Sequence, residues 1–151
     1  MKHIRFLMAF LFLSACIAAP TAEPTATASA PYRITTEDNP YAPQTGDLGK
    51  QISSVIISSV NLSEKFELTP SRVVVGFLGS MPSVCNELRI NIEPPDEEFR
   101  IFIEVYSLTD PSVTCDRVFQ QFEASVMLGT YSSGRYKVWV NESLVGDFVT
   151  Y

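Results

Sequence analysis

The sequence predicts an all-β fold, an antiparallel sandwich of about seven strands preceded by a signal peptide and a disordered tether. Three observations predict it. Short runs of β-branched and aromatic residues alternate apolar with polar; Gly, Pro, Asn and Asp punctuate those runs roughly every 8–12 residues; and no stretch of eleven residues carries a convincing 3.6-residue period.

The N-terminus reads MKHIRFLMAFLFLSAC. Lys2, His3 and Arg5 form a short positive region, and Phe6 to Leu13 is an uncharged apolar run. The run is too short for a transmembrane helix, which needs roughly 20 residues, and suits the apolar region of a signal peptide. It ends in Leu13-Ser14-Ala15-Cys16, which looks like a bacterial lipobox: the Cys thiol receives a diacylglycerol and the chain is cut just before it. Cleavage after Ala18 by an ordinary signal peptidase is the competing reading. The expectation is a lipoprotein signal peptide over residues 1–15, lipidation at Cys16, and an address on the extracytoplasmic side of the cell membrane or cell envelope. Two or three acyl chains hold a protein there stably.

Residues 16–46 change character. Five of the ten prolines lie there among Thr and Ala, a composition that cannot bury a core and favours extended chain. They are expected to be a lipid-anchored tether ahead of a domain spanning 47–151. Within that domain Gln51–Val60 is β-branched and Ser-rich, fitting a half-buried strand, and Phe66-Glu67-Leu68 reads as a short second piece. Arg72–Leu78 is apolar and ends at Gly79 and Pro82; Leu88–Ile92 alternates, and Glu93-Pro94-Pro95-Asp96-Glu97-Glu98 makes a turn. Phe99, Ile101, Ile103 and Val105 then share one face, followed by a strand over Phe119–Leu128 with Phe122, Ala124, Val126 and Leu128 together. Tyr136–Val140 and Leu144–Val149 form a hairpin around Asn141-Glu142-Ser143, expected to be other than the tightest type. Such a layout over about 105 residues has the size of an immunoglobulin-like sandwich.

Cys85 and Cys115 both follow turn-like stretches, and in an exported chain a disulfide between them is the expectation. Their spacing does not match that of antibody domains. Removal of the leader leaves 9 basic and 17 acidic residues, a net charge of −8, and no histidine. A His-dependent triad, a His proton relay and His-ligated zinc or iron are thereby excluded. No G-x-S-x-G elbow, no Ser-x-x-Lys pair and no phosphate-cradling Gly loop occurs either. The acidic balance and scattered arginines exclude a nucleic-acid partner. The expected protein is therefore no enzyme and takes no cofactor, with no catalytic or metal residue assigned. A secreted-type inhibitor of a protease or other hydrolase is the alternative to a binding or assembly module.

The chain resembles a family of bacterial lipoproteins with a single small immunoglobulin-like β-sandwich. The residues that carry this are Asn39-Pro40-Tyr41-Ala42-Pro43-Gln44 with Gly46-Asp47, Gly79-Ser80-Met81-Pro82, and Cys85. Downstream they are Glu104-Val105-Tyr106-Ser107, Asp110-Pro111, Cys115, Phe122-Glu123-Ala124-Ser125, Leu128-Gly129, and Gly134 with Tyr136 and Val138-Trp139-Val140-Asn141. Glu142 stands where such proteins often carry Gly, which argues against a tight two-residue turn. The resemblance implies architecture and surface anchoring, and brings no activity with it.

Candidate functional residues follow from alternation. If Tyr136, Val138 and Val140 face the core, Lys137 and Trp139 face outward, and Phe102 and Tyr106 likewise oppose the apolar face of their strand. An outward patch of Trp139, Lys137, Phe102 and Tyr106 suits a protein or glycan partner; the competing structural reading covers these rings with the N-terminal segment or pairs them across strands. Asp96, Glu97 and Glu98 in one turn, and Asp110 with Asp116 around the second Cys, read as solvated acidic turns. They lack the D-x-D-x-D-G loop of a Ca²⁺ site.

Overall fold

The computed structural model describes Thr35 and residues 37–151. The expected signal peptide, Cys16 and residues 17–34 and 36 of the expected tether lie outside the described residues. Eight strands follow a single 3₁₀ turn at Thr45–Asp47: β1 (Gln51–Ser54), β2 (Ile56–Lys65), β3 (Arg72–Met81), β4 (Glu87–Ile92), β5 (Arg100–Thr109), β6 (Gln120–Met127), β7 (Gly134–Val140) and β8 (Ser143–Thr150).

They form two sheets facing each other, the expected β-sandwich. In the five-stranded sheet β5 is central, with β4 antiparallel along one side. The other side of β5 is shared: β7 runs parallel to Arg100–Ile103, and β1 runs antiparallel to Tyr106–Thr109. β8 then pairs with β7. The smaller sheet is β2-β3-β6, antiparallel throughout. Among the described residues there are eight strands and one parallel contact, against the expected antiparallel sandwich of about seven strands.

Gln51–Val60, read from the sequence as one strand, breaks at Val55, where the chain leaves the larger sheet for the smaller. The uncharged, Ser-rich run is compatible with either sheet, and Val55 itself packs against the core. β2 continues to Lys65, so Phe66-Glu67-Leu68 is a turn rather than a strand, with Phe66 exposed. Phe99 also departs from its expected place on the core face of β5. Asp96 accepts hydrogen bonds from the amides of Glu98 and Arg100, which starts the strand at Arg100 and leaves Phe99 in a turn with φ 59°.

Val75, Phe77 and Val126 from the smaller sheet meet Ile90, Ile101, Ile103 and Val138 from the larger, all fully buried. These are the alternate positions of their strands, so period-two patterning becomes one apolar layer between the sheets. Gly79 faces Phe122 across β3 and β6, and a Cβ there would stand 2.6 Å from the Phe122 ring. The ring lies over the space that only glycine leaves.

The folded body begins upstream of Asp47, which corrects the expected boundary of the tether at residue 46. Asn39 is 2% exposed; its Nδ2 donates to the Ile90 carbonyl at 2.8 Å, and its Oδ1 accepts from the Tyr41 amide at 3.1 Å. The Ile90 amide donates to the Tyr41 carbonyl and the Met127 amide to the Asp38 carbonyl. Asp38 also pairs with Arg72 at 2.8 Å. Residues 38–41 are therefore a strap bonded to β4 of one sheet and β6 of the other. Its partners lie far away in sequence, which is why a Pro/Thr/Ala-rich composition concealed it.

Cys85, between β3 and β4, and Cys115, between β5 and β6, form the expected disulfide, their Cα atoms 6.2 Å apart. Ser83 and Asn86 flank Cys85 and are buried. Ser83 Oγ donates to Asn86 Oδ1, Asn86 Nδ2 donates to Ser107 Oγ, and Ser107 Oγ donates to the Ser53 carbonyl. This chain of bonds fixes the bridged loop against β5 and β1.

Candidate functional site

The outer face of the five-stranded sheet holds the candidate site. Phe102 on β5 and Trp139 on β7 are direct partners in the parallel ladder, and their rings lie 6.2 Å apart with a 32° tilt. Both are half-buried. The Arg100 guanidinium sits 5.6 Å from the Phe102 ring centre, within cation–π range. The Trp139 indole N–H is shielded from solvent and has no acceptor among the described residues.

Two residues further along β5 the outer position is Glu104, and two further again is Tyr106. Opposite Glu104, β7 has ended and β1 has not yet joined the sheet. The interval is filled by Asn141, whose side chain takes the place of a strand: Val105 N donates to its Oδ1 at 2.8 Å and its Nδ2 donates to the Val105 carbonyl at 3.0 Å. The Asn141 amide continues this ladder by donating to the Ile103 carbonyl.

The low step between the strand ends opens a groove of about 790 Å³. Phe102 and Trp139 line one part of it and Tyr106 another, with Ile52 of β1 at the rim; Glu93, Glu104 and Glu142 supply its charge. None of these three carboxylates has a hydrogen-bond or salt-bridge partner among the described residues. Burial raises the Tyr106 hydroxyl pKa, and the negative charges of Asp47 and Glu104 push it further the same way.

Of the four residues expected to form an outward patch, Phe102, Tyr106 and Trp139 line the groove, whereas Lys137 is exposed but outside it, beside Arg100 and Asp147 in the ladders. Sequence reasoning missed the three carboxylates, which come from three different segments. One signal was present: Glu104 lies between Phe102 and Tyr106 on the same alternation.

Above Tyr106 the sheet is locked by charge. Arg89, 6% exposed, donates to both Asp47 carboxylate oxygens at 2.7 and 2.6 Å, and to Glu87 at 2.8 Å. Lys50 reaches the same Glu87 oxygen at 2.8 Å. The Arg89 guanidinium holds the Asp47 carboxyl far below the usual carboxylate range. The acidic turns have structural partners as well. Asp96 binds Arg100 at 2.7 Å besides its two amides, and Asp110 accepts from the Ser112 amide and hydroxyl. No cluster of three or more metal-ligating side chains occurs among the described residues.

A family model described as the ORF11 beta-sandwich domain matches residues 77–150, from within β3 to the end of β8. The described residues form a small β-sandwich domain. No curated protein and no solved structure matches it. The similarity to the family takes in most of the groove and both cysteines; it leaves out the strap, β1 and β2.

Proposed function

We propose that this chain is a membrane-anchored extracytoplasmic lipoprotein whose sandwich is a non-catalytic binding module, with its site in the groove beside Phe102 and Trp139. The single observation that carries the binding reading is that groove. An aromatic pair, a third ring and three unpaired carboxylates share one open surface that the packing of the domain does not use. Anchoring is supported by the Leu13-Ser14-Ala15-Cys16 motif behind a short apolar run. The Cys85–Cys115 bridge suits an oxidising compartment outside the cytoplasm. A chain without histidine beyond residue 3 is poorly equipped for acid–base turnover near neutral pH.

Two measurements test this. Cells fed labelled palmitate are expected to label the wild-type protein and not Cys16→Ser; equal labelling of the two, or none, removes the anchor. A photo-crosslinking residue at exposed Leu144, which faces Trp139 across β7 and β8, is expected to capture an envelope partner that the same residue at Glu123 on the smaller sheet does not. Equal capture from both positions, or capture from neither, removes the site.

A further inference from the structure

Resting on that reading, we propose that the groove receives a cationic polypeptide segment, one Lys or Arg side chain lying along Phe102 and Trp139 with its charged end at Glu104. The argument is one of charge complementarity. Elsewhere on the domain many acids sit against a base: Asp38 with Arg72, Asp47 with Arg89, Glu87 with Lys50, Asp96 with Arg100, and Asp147 with Arg135. Glu64, Glu97, Asp116 and Glu123 have no cation among the described residues and lie outside the groove, whereas Glu93, Glu104 and Glu142, equally without one, line the groove together. Glu104 also faces Tyr106, whose hydroxyl pKa is raised by burial first, then by Asp47 and Glu104.

The rings fix the chemistry of the cation. A long basic side chain presents an apolar stem and a charged head together, so it satisfies an aromatic wall and a carboxylate at once. The protein shows the same contact within itself, in the guanidinium of Arg100 over Phe102. Trp139, the aromatic type with the strongest attraction for cations, lies beside it with Glu104 two positions along β5. A neutral sugar would use the rings and leave three carboxylates uncompensated, so the surface favours a basic peptide over a glycan.

Trp139 is the single tryptophan of the chain, so its fluorescence reports the groove directly. The full chain carrying Cys16→Ser, to avoid acylation, is titrated with nona-arginine, with a Gly/Ser peptide of equal length, and with an N-acetylglucosamine hexamer. Nona-arginine is expected to give a saturable change in Trp139 emission that the Gly/Ser peptide does not. Glu104→Gln should weaken it about fivefold, as loss of one partly exposed charge contact does. Glu123→Gln, an exposed acid on the other sheet, should leave it unchanged and control for general attraction by an acidic protein. No saturable change with nona-arginine, or equal weakening by the two substitutions, overturns the inference. So does binding of the hexamer without the peptide. If Leu144 captures a partner while nona-arginine fails, the binding module stands and only its cationic ligand falls.

Discussion

Asn141 holds Val105 from both ends of its side-chain amide, accepting from the backbone N–H at 2.8 Å and donating to the carbonyl at 3.0 Å. One side chain thereby completes a sheet at the point where two strands, β7 and β1, fail to meet along β5. The same residue turns the chain. Asn141 and Glu142 both have positive φ, 43° and 68°, and are the whole connection between β7 and β8. This is a two-residue type I′ turn, tighter than Glu142 led the sequence to suggest.

The two turn residues should respond oppositely to substitution. Asn141→Ala leaves the N–H and carbonyl of buried Val105 unpaired, and should cost about 2–3 kcal/mol in urea unfolding. Glu142→Gly removes a side chain from left-handed backbone without taking away any contact described above. It should raise stability by about 1 kcal/mol. Loss of stability in both variants would contradict the turn.

Replacing Cys85 and Cys115 together by Ala opens a loop of 30 residues. Loop-closure entropy puts the loss at about 3–4 kcal/mol, enough to move the urea midpoint well down. An unchanged midpoint under non-reducing conditions would show that the bridge contributes nothing.

The strap makes its own prediction. Asn39→Ala removes the partner of the Ile90 carbonyl at a site 2% exposed. It should destabilise the domain by about 1–3 kcal/mol. Amide exchange at Met127 and Ile90, which donate to the strap carbonyls, should speed up first.

Stability should be flat across roughly pH 5 to 8, because no described residue is a histidine. Below that range it should fall. Arg72 lowers the Asp38 pKa, Arg89 that of Asp47 and Lys50 that of Glu87, while the Arg100 amide lowers Asp96 and the Ser112 hydroxyl Asp110. A carboxylate with a depressed folded-state pKa stabilises the fold above its unfolded value, about 4, and loses that contribution as the pH drops further. Circular dichroism against pH checks both halves of the curve; a transition near pH 6.5 would contradict it.

Strands β4, β5 and β7 were legible because one face of each is buried, so apolar residues recur at every second place. The split at Val55 was not, since membership of one sheet or the other depends on partners such as Thr109 and Ser80, far along the chain. The strap was hidden for the same reason: Asp38 and Asn39 look like linker until Arg72, Ile90 and Met127 are brought to them. In the site, alternation on β5 and β7 identifies Phe102, Tyr106 and Trp139. It cannot say that Glu93 and Glu142 arrive beside them through turns, nor that Lys137 on the same strand face lies outside the groove.

The strap also has a mechanical meaning. Any tension applied to the chain upstream of Thr35 reaches the sandwich first through the bonds of Asp38, Asn39 and Tyr41 to the edges of β4 and β6. Those few hydrogen bonds and the Asp38–Arg72 pair would part before the long ladders between β2 and β3 or β3 and β6 are loaded. The segment up to the next anchor, Asp47 on Arg89, would then be released as slack while the groove and the Cys85–Cys115 loop stayed folded. The strap is placed where a shear pin would be.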